Sequence, residues 1–173
     1  ILVTGGAGFI GSNFVRHVLA SSDDTVTVLD ALTYAGVRAN LDGLDPRRVR
    51  FVHGDVCDRA LVDALLAEHR PRAIVHLAAE THVDRSIADA TAFARTNALG
   101  TLVLLQAAQA YRAQADPEEA RDFRFLHCST DEVFGSLGAD DPPCDEHAPY
   151  RPRNPYAASK AAVVSTTKTF AAE

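Results

Sequence analysis

Along the chain, short apolar runs alternate with stretches of helical period. Ile1–Thr4 reads as a short strand leading into a glycine turn. Gly11–Leu19 follows as a helix with Phe14, Val15, Val18 and Leu19 on one face. Thr25–Leu29 is β-branched and reads as a second strand, and Val49–Val52 as a third, before a helix marked by Leu61, Leu65 and Leu66. Ala73–Leu77 predicts a fourth, buried strand. Ala92–Tyr111 then predicts one long helix with Leu102, Val103, Leu105 and Ala108 on its apolar stripe. Arg112–Arg121 is charged, holds Pro117 and reads as a surface excursion. Phe123–Cys128 is the fifth strand, Gly135–Asn154 a loop rich in Pro, Gly and Asp, and Tyr156 opens a last helix. Strands alternating with helices predict the α/β class: a doubly wound parallel sheet of Rossmann type with helices on both faces, one domain over residues 1–173.

Composition narrows the function classes without changing that picture. With 47% hydrophobic and 23% charged residues, the chain has the makings of a globular core. A net charge of −6 gives no basic footprint for nucleic acid, and no apolar run approaches the roughly 20 residues that span a bilayer, so neither partner is expected. Cys57, Cys128 and Cys144 lie far apart with no metal-ligand spacing and no disulfide framework, which predicts a reducing, cytoplasmic setting. His53, His76 and His127 fall inside strand-like runs and are expected to be buried and hydrogen-bonded rather than metal ligands. The sequence opens inside a strand pattern and closes inside a helical one, which predicts a piece of a longer chain.

Two constellations carry chemistry. Gly6-Ala7-Gly8-Phe9-Ile10-Gly11 has GxGxxG spacing, and Gly5, Gly8 and Gly11 give GxxGxxG between a strand and a helix. Glycines there permit a tight turn and let the backbone, with Phe9 and Ile10, approach a pyrophosphate at the helix N-terminus. Asp30, at the end of the second strand, can accept hydrogen bonds from an adenosine ribose and would repel a 2′-phosphate, which favours NAD over NADP. Asp55, just past the third strand, is placed to reach the adenine; read alone, it is a turn residue. Tyr156 and Lys160 lie four residues apart on one helix face, where an ammonium would lower the tyrosine pKa; the plain alternative is an exposed i,i+4 pair. Ser129-Thr130-Asp131-Glu132 follows the fifth strand, at the sheet edge where doubly wound folds bind ligands; the plain alternative is an N-cap box for a short helix.

Together these residues resemble the extended short-chain dehydrogenase/reductase family, and within it the dTDP-glucose 4,6-dehydratases. The resemblance rests on Thr4–Ser12, Leu32-Thr33-Tyr34-Ala35-Gly36, Gly54-Asp55-Val56, Leu77–Ser86, Thr96-Asn97, Ser129–Gly135 and Pro155–Ala161. It implies an NAD site that includes Gly5, Gly8, Phe9, Ile10, Gly11, Asp30, Asp55, Val56, Ala78, Tyr156 and Lys160. It implies Tyr156 as base for a sugar C4 hydroxyl and Lys160 as its electrostatic and ribose-binding partner. Thr130 would bond the C4 oxygen, Asp131 would protonate the departing C6 oxygen, and Glu132 would remove the C5 proton. Ser86 would join Thr130, Asp131 and Glu132 in holding the nucleotide sugar, and Asn97 would help hold the site's helix and water network. It further implies a homodimer packed through the long helix near Leu102 and the Tyr156 helix. Val37 stands where the family usually has Asn, Phe134 where it has Tyr, and the pattern is lost after Ala162. The reading is therefore a lyase that makes a 4-keto-6-deoxy sugar from a dTDP-hexose, with its nucleotide-sugar half absent from this chain. The alternatives are an NAD-dependent 4-epimerase or decarboxylase, which need no paired acids after Thr130, and a truncated, non-catalytic NAD-binding module.

Overall fold

The structure, a computed structural model, describes residues 1–171. Five strands, β1 (Leu2–Thr4), β2 (Val26–Asp30), β3 (Val49–His53), β4 (Ala73–His76) and β5 (Arg124–His127), form one parallel sheet in the order β3-β2-β1-β4-β5. Val3 of β1 stands opposite Val28 of β2 and Val75 of β4. The chain thus reverses its direction of winding between β1 and β4, which opens a crevice at their carboxyl ends. The expected doubly wound architecture is the one observed.

Alternation along the strands sorts the core into two layers. Leu2, Leu29 and Ile74 face one side, where α2 (Arg59–His69) and α5 (Thr101–Gln114) supply Val62, Leu65, Leu66, Leu104 and Ala108. Val3, Val28 and Val75 face the other side and meet Val15 and Val18 of α1 (Phe9–Ser21). Each such buried Leu, Ile or Val stabilises the fold by about 1.5–3 kcal/mol. The strands read as near-continuous apolar runs because both faces are covered. Local signals set the helix ends: the Asp58 carboxylate accepts from the Leu61 N–H at 3.0 Å to start α2. In α7 (Pro155–Ala171), Asn154 accepts from the Ala157 N–H at 2.7 Å, with Pro155 at the first helical position.

Three features depart from the sequence reading. The single long helix is α4 (Ala90–Phe93), a π-helical turn over Ala94–Gly100, and α5, which runs on to Gln114. The charged excursion carries a short helix, α6 (Pro117–Asp122), whose Pro117 and acidic first turn suit a helix start. Another, α3 (Val83–Ala88), and two 3₁₀ turns, Arg38–Leu41 and Asp131–Phe134, are too short to show a period. His76 is buried and bonded at both ring nitrogens, as expected. His53 is exposed, because it ends the edge strand β3, and its Nε2 rests 3.1 Å from the Ala31 carbonyl. His127 lies between, half-buried, with no partner for either ring nitrogen.

Candidate active site

The carboxyl ends of the strands open onto a cleft of about 380 Å³. At one end lies the glycine turn. Gly5 has φ +70°, and a Cβ on it would sit 2.6 Å from the Ala78 nitrogen; one on Gly11 would sit 2.1 Å from the Gly5 carbonyl oxygen. Side chains at either position would force the turn apart, which is the physical reason for the spacing. Gly8, Phe9 and Ile10 line the lip, the latter two with apolar side chains 82% and 65% exposed.

Asp30 is buried at the end of β2 and lines the cleft floor. Its two carboxylate oxygens accept from the Ala7 N–H (2.9 Å) and the Leu32 N–H (2.8 Å). A carboxylate has about four acceptor sites, so this anchoring leaves capacity for a ligand hydroxyl. Asp55, Val56 and Ala78 also line the cleft. Asp55 accepts from the Cys57 N–H at 2.9 Å and from Arg95 at 3.2 Å. Burial pushes its pKa up, but those two bonds outweigh it and leave the carboxyl below its ordinary value. All the residues expected at the nucleotide are thus brought to one cleft.

At the other end, Tyr156 and Lys160 share a buried face of α7 and line the same cleft. The Lys160 ammonium donates to the Cys128 carbonyl at 2.6 Å, where β5 ends. Burial holds its pKa below the usual lysine value. The Thr130 hydroxyl, which donates to the Asp131 carboxylate at 3.3 Å, lies near enough to Tyr156 to favour its phenolate. Its pKa is raised, by burial first and then by the nearby charges of Glu132 and Asp131, against the lowering effect of Thr130. The expected lowering by Lys160 is therefore not found: the ammonium is drawn to a carbonyl, and burial with two acids prevails.

Thr130 caps the turn Asp131–Phe134, accepting from the Glu132 N–H at 3.3 Å, as the capping alternative expects. Glu132 is half-buried and accepts from the Asn154 side-chain amide at 2.9 Å, while Asp131 is exposed. Thr130, Asp131 and Glu132 stand beside Tyr156 but outside the cleft proper. Ser86 does not reach it. It is fully buried on α3 and donates its hydroxyl to the Val83 carbonyl at 2.6 Å, the usual fate of a serine within a short helix.

Sequence reasoning missed two residues. Asn154 joins Glu132 to the start of α7, and the Asn-Pro pair before a helix was its available signal. Ser159 donates to the Tyr156 carbonyl at 2.7 Å and accepts from Asn97 at 2.9 Å. Asn97, in the π-helical turn, also exchanges bonds with the Glu80 backbone at 2.8 and 2.9 Å. No local pattern announces the Ser159 contact.

Residues 2–173 match the GDP-mannose 4,6 dehydratase family. The dTDP-glucose 4,6-dehydratase of Neisseria meningitidis serogroup B is 53% identical over 165 residues, covering 93% of this chain and 46% of the relative. The structure of DesIV, the dTDP-glucose 4,6-dehydratase of Streptomyces venezuelae, described with NAD bound, superposes with a TM-score of 0.85 at 49% identity, covering 98% of this chain and 50% of that one. The UDP-glucose 4-epimerase of Thermus thermophilus, also with NAD, gives 0.82 at 35% identity, covering 98% and 50%. The chain spans about half the length of the curated relatives it matches.

Proposed function

The chain belongs to the GDP-mannose 4,6 dehydratase family, and on that premise we propose that it is the NAD-binding half of a lyase that dehydrates dTDP-glucose across C5 and C6. The observation that carries this reading is the pair Asp131-Glu132, set after Thr130 beside the nucleotide cleft, with both charges near enough to Tyr156 to raise its pKa. An epimerase oxidises the same carbon but has no need of two acids there. The curated relatives named dTDP-glucose 4,6-dehydratase, at 53% and 55% identity, support the same choice. The cleft suits NAD: the turn at Gly5 and Gly11 admits no side chain, and Asp30 offers free acceptor capacity at its floor.

Bound NAD would supply a reversible hydride acceptor and would end the cycle unchanged. Tyr156 takes the proton of the C4 hydroxyl, with Thr130 holding the oxygen. The raised pKa of Tyr156 means that this step requires positive charge to move toward it, and Lys160, one helical turn away, is the group on this chain that can provide it. Once C4 is a carbonyl, the C5 proton is acidic; Glu132 removes it while Asp131 protonates the departing C6 oxygen, and water leaves. Glu132 is held for this by the Asn154 amide. Ser86 has no part, since its hydroxyl is spent within α3. The exposed Leu99 and half-buried Leu102 and Val103 leave an apolar strip that suits a homodimer, and the three free thiols suit a reducing cytoplasm.

The test is the mass of the product when the full-length protein meets dTDP-glucose and catalytic NAD. Loss of one water without net NADH is expected. An inverted C4 with unchanged mass would replace the dehydratase with an epimerase.

A further inference from the structure

His76 is a deeply buried ionisable side chain with a bond at each ring nitrogen, and the chemistry above makes no use of it. It sits in β4, the strand whose end forms the cleft floor at Ala78. Its Nε2 lies 2.9 Å from the Thr101 hydroxyl, and its Nδ1 lies 2.7 Å from the Thr4 hydroxyl. The direction of these bonds follows from their neighbours. Thr101 donates its single hydroxyl proton to the Asn97 carbonyl at 2.6 Å, so toward His76 it can only accept. Nε2 must therefore carry a proton. Thr4 accepts from the Ala78 N–H at 3.2 Å and sends its own proton to Nδ1. Burial, with His127 and Lys160 nearby, holds the imidazole pKa well below the ordinary value, so the ring stays neutral.

The chain of bonds has one direction from end to end. It starts at Ala78 N–H in the cleft floor, and passes through Thr4, His76 and Thr101 to the Asn97 carbonyl. The Asn97 side chain then clamps Glu80, on the cleft wall, and Ser159, which bonds the Tyr156 carbonyl. Thr4, His76, Asn97 and Thr101 are all at most 1% exposed, and each has its partners. A fully satisfied buried network of this kind rigidifies its surroundings.

We propose that His76 is a positioning residue: a neutral imidazole locked as the Nε2–H tautomer, it ties the floor of the nucleotide cleft to the π-helical turn and so sets where α7 holds Tyr156. This rests on the assignment of Tyr156 to the chemistry. A fixed hydrogen-bond polarity explains why β4 carries histidine where an apolar residue would fill the same space.

The full-length, NAD-loaded protein tests this in two ways. Nitrogen NMR of labelled histidine near neutral pH should show a proton on Nε2 and none on Nδ1 of His76; an Nδ1–H tautomer or an imidazolium would overturn the proposal without any variant. His76→Leu should lower kcat about 10- to 100-fold with KM for the nucleotide sugar little changed, since displaced catalytic groups cost rate rather than binding. His76→Gln, which keeps a donor in reach of Thr101, should recover most of that loss. If His76→Leu fails to fold, Thr101→Val and Thr101→Ser serve instead: the first should lose kcat and the second retain it. Wild-type kcat in His76→Leu or in Thr101→Val would refute the role. Tyr156→Phe measured alongside separates the two failures, because wild-type turnover there removes the function assignment while the tautomer result still stands.

Discussion

The two ends of the cleft are built differently. The nucleotide end is made of backbone: the glycine turn, the Ala7 and Leu32 N–H groups that hold Asp30, and the Ala78 segment pressed against Gly5. The catalytic end is made of side chains from separate elements, with Thr130 and Glu132 after β5, Asn97 in the π-helical turn and Tyr156, Ser159 and Lys160 on α7. Backbone sites tolerate little substitution but need little support. Side-chain sites tolerate substitution structurally, and function in them depends on how distant elements are tied together. The two ends should therefore fail in different ways.

The largest expected effects fall at the catalytic end and on rate alone. Glu132→Gln should keep C4 oxidation, seen as transient NADH absorbance, while water loss falls about 10²- to 10⁴-fold. Unimpaired water loss would remove Glu132 from the mechanism and erase the contrast. Gly11→Ala should act on the other end, since its Cβ would fall 2.1 Å from the Gly5 carbonyl. Overpacking of this kind costs about 1–3 kcal/mol or more, so both the melting temperature and NAD affinity should drop together. Asp30→Asn should weaken NAD binding by about 1.5–3 kcal/mol, the range for a bond to a charged group, with kcat on bound cofactor preserved; calorimetry measures it.

Smaller effects sharpen the comparison further. Asn154→Ala removes a helix cap worth about 1 kcal/mol and also the tether on Glu132. A modest fall in melting temperature with a larger proportional fall in kcat is expected, and equal loss of NAD affinity would contradict it. The smallest concerns acid stability. Burial, and then the Lys160 charge, lower the His127 pKa from 6.5 to about 4. Below 6.5 the unfolded chain takes up a proton that the folded one refuses, so stability falls as pH drops from 6.5 toward 4. His127→Leu should flatten that part of the melting-temperature profile; an unchanged slope would show that other groups govern it.

Much of the molecule is legible in the order of its residues. Apolar runs and helical stripes locate all five strands and the principal helices, because in a sheet covered on both faces burial leaves a strong mark on sequence. The glycine turn, Asp30 and the Tyr156–Lys160 pair are legible because each depends on spacing within one short segment. Other features are misread for identifiable reasons. Ser86 carries a hydroxyl that the family pattern offers to substrate, but the short helix α3 consumes it. Tyr156 has an ammonium on its own helix face, yet that ammonium finds the Cys128 carbonyl, and burial, followed by the acids after Thr130, raises the phenol's pKa.

The division has a physical basis. The sequence by itself determined the five strands, the principal helices, their order and the nucleotide end, since periodicity, turn chemistry and backbone reach act over a few residues. Only the tertiary structure decided the catalytic end: where the Lys160 charge rests, that Asn154 holds Glu132, and that a chain of bonds runs from Ala78 through His76 to Asn97. Those outcomes depend on directional bonds between groups far apart in the chain. The polarity of each bond is set by the proton its neighbour has already given away.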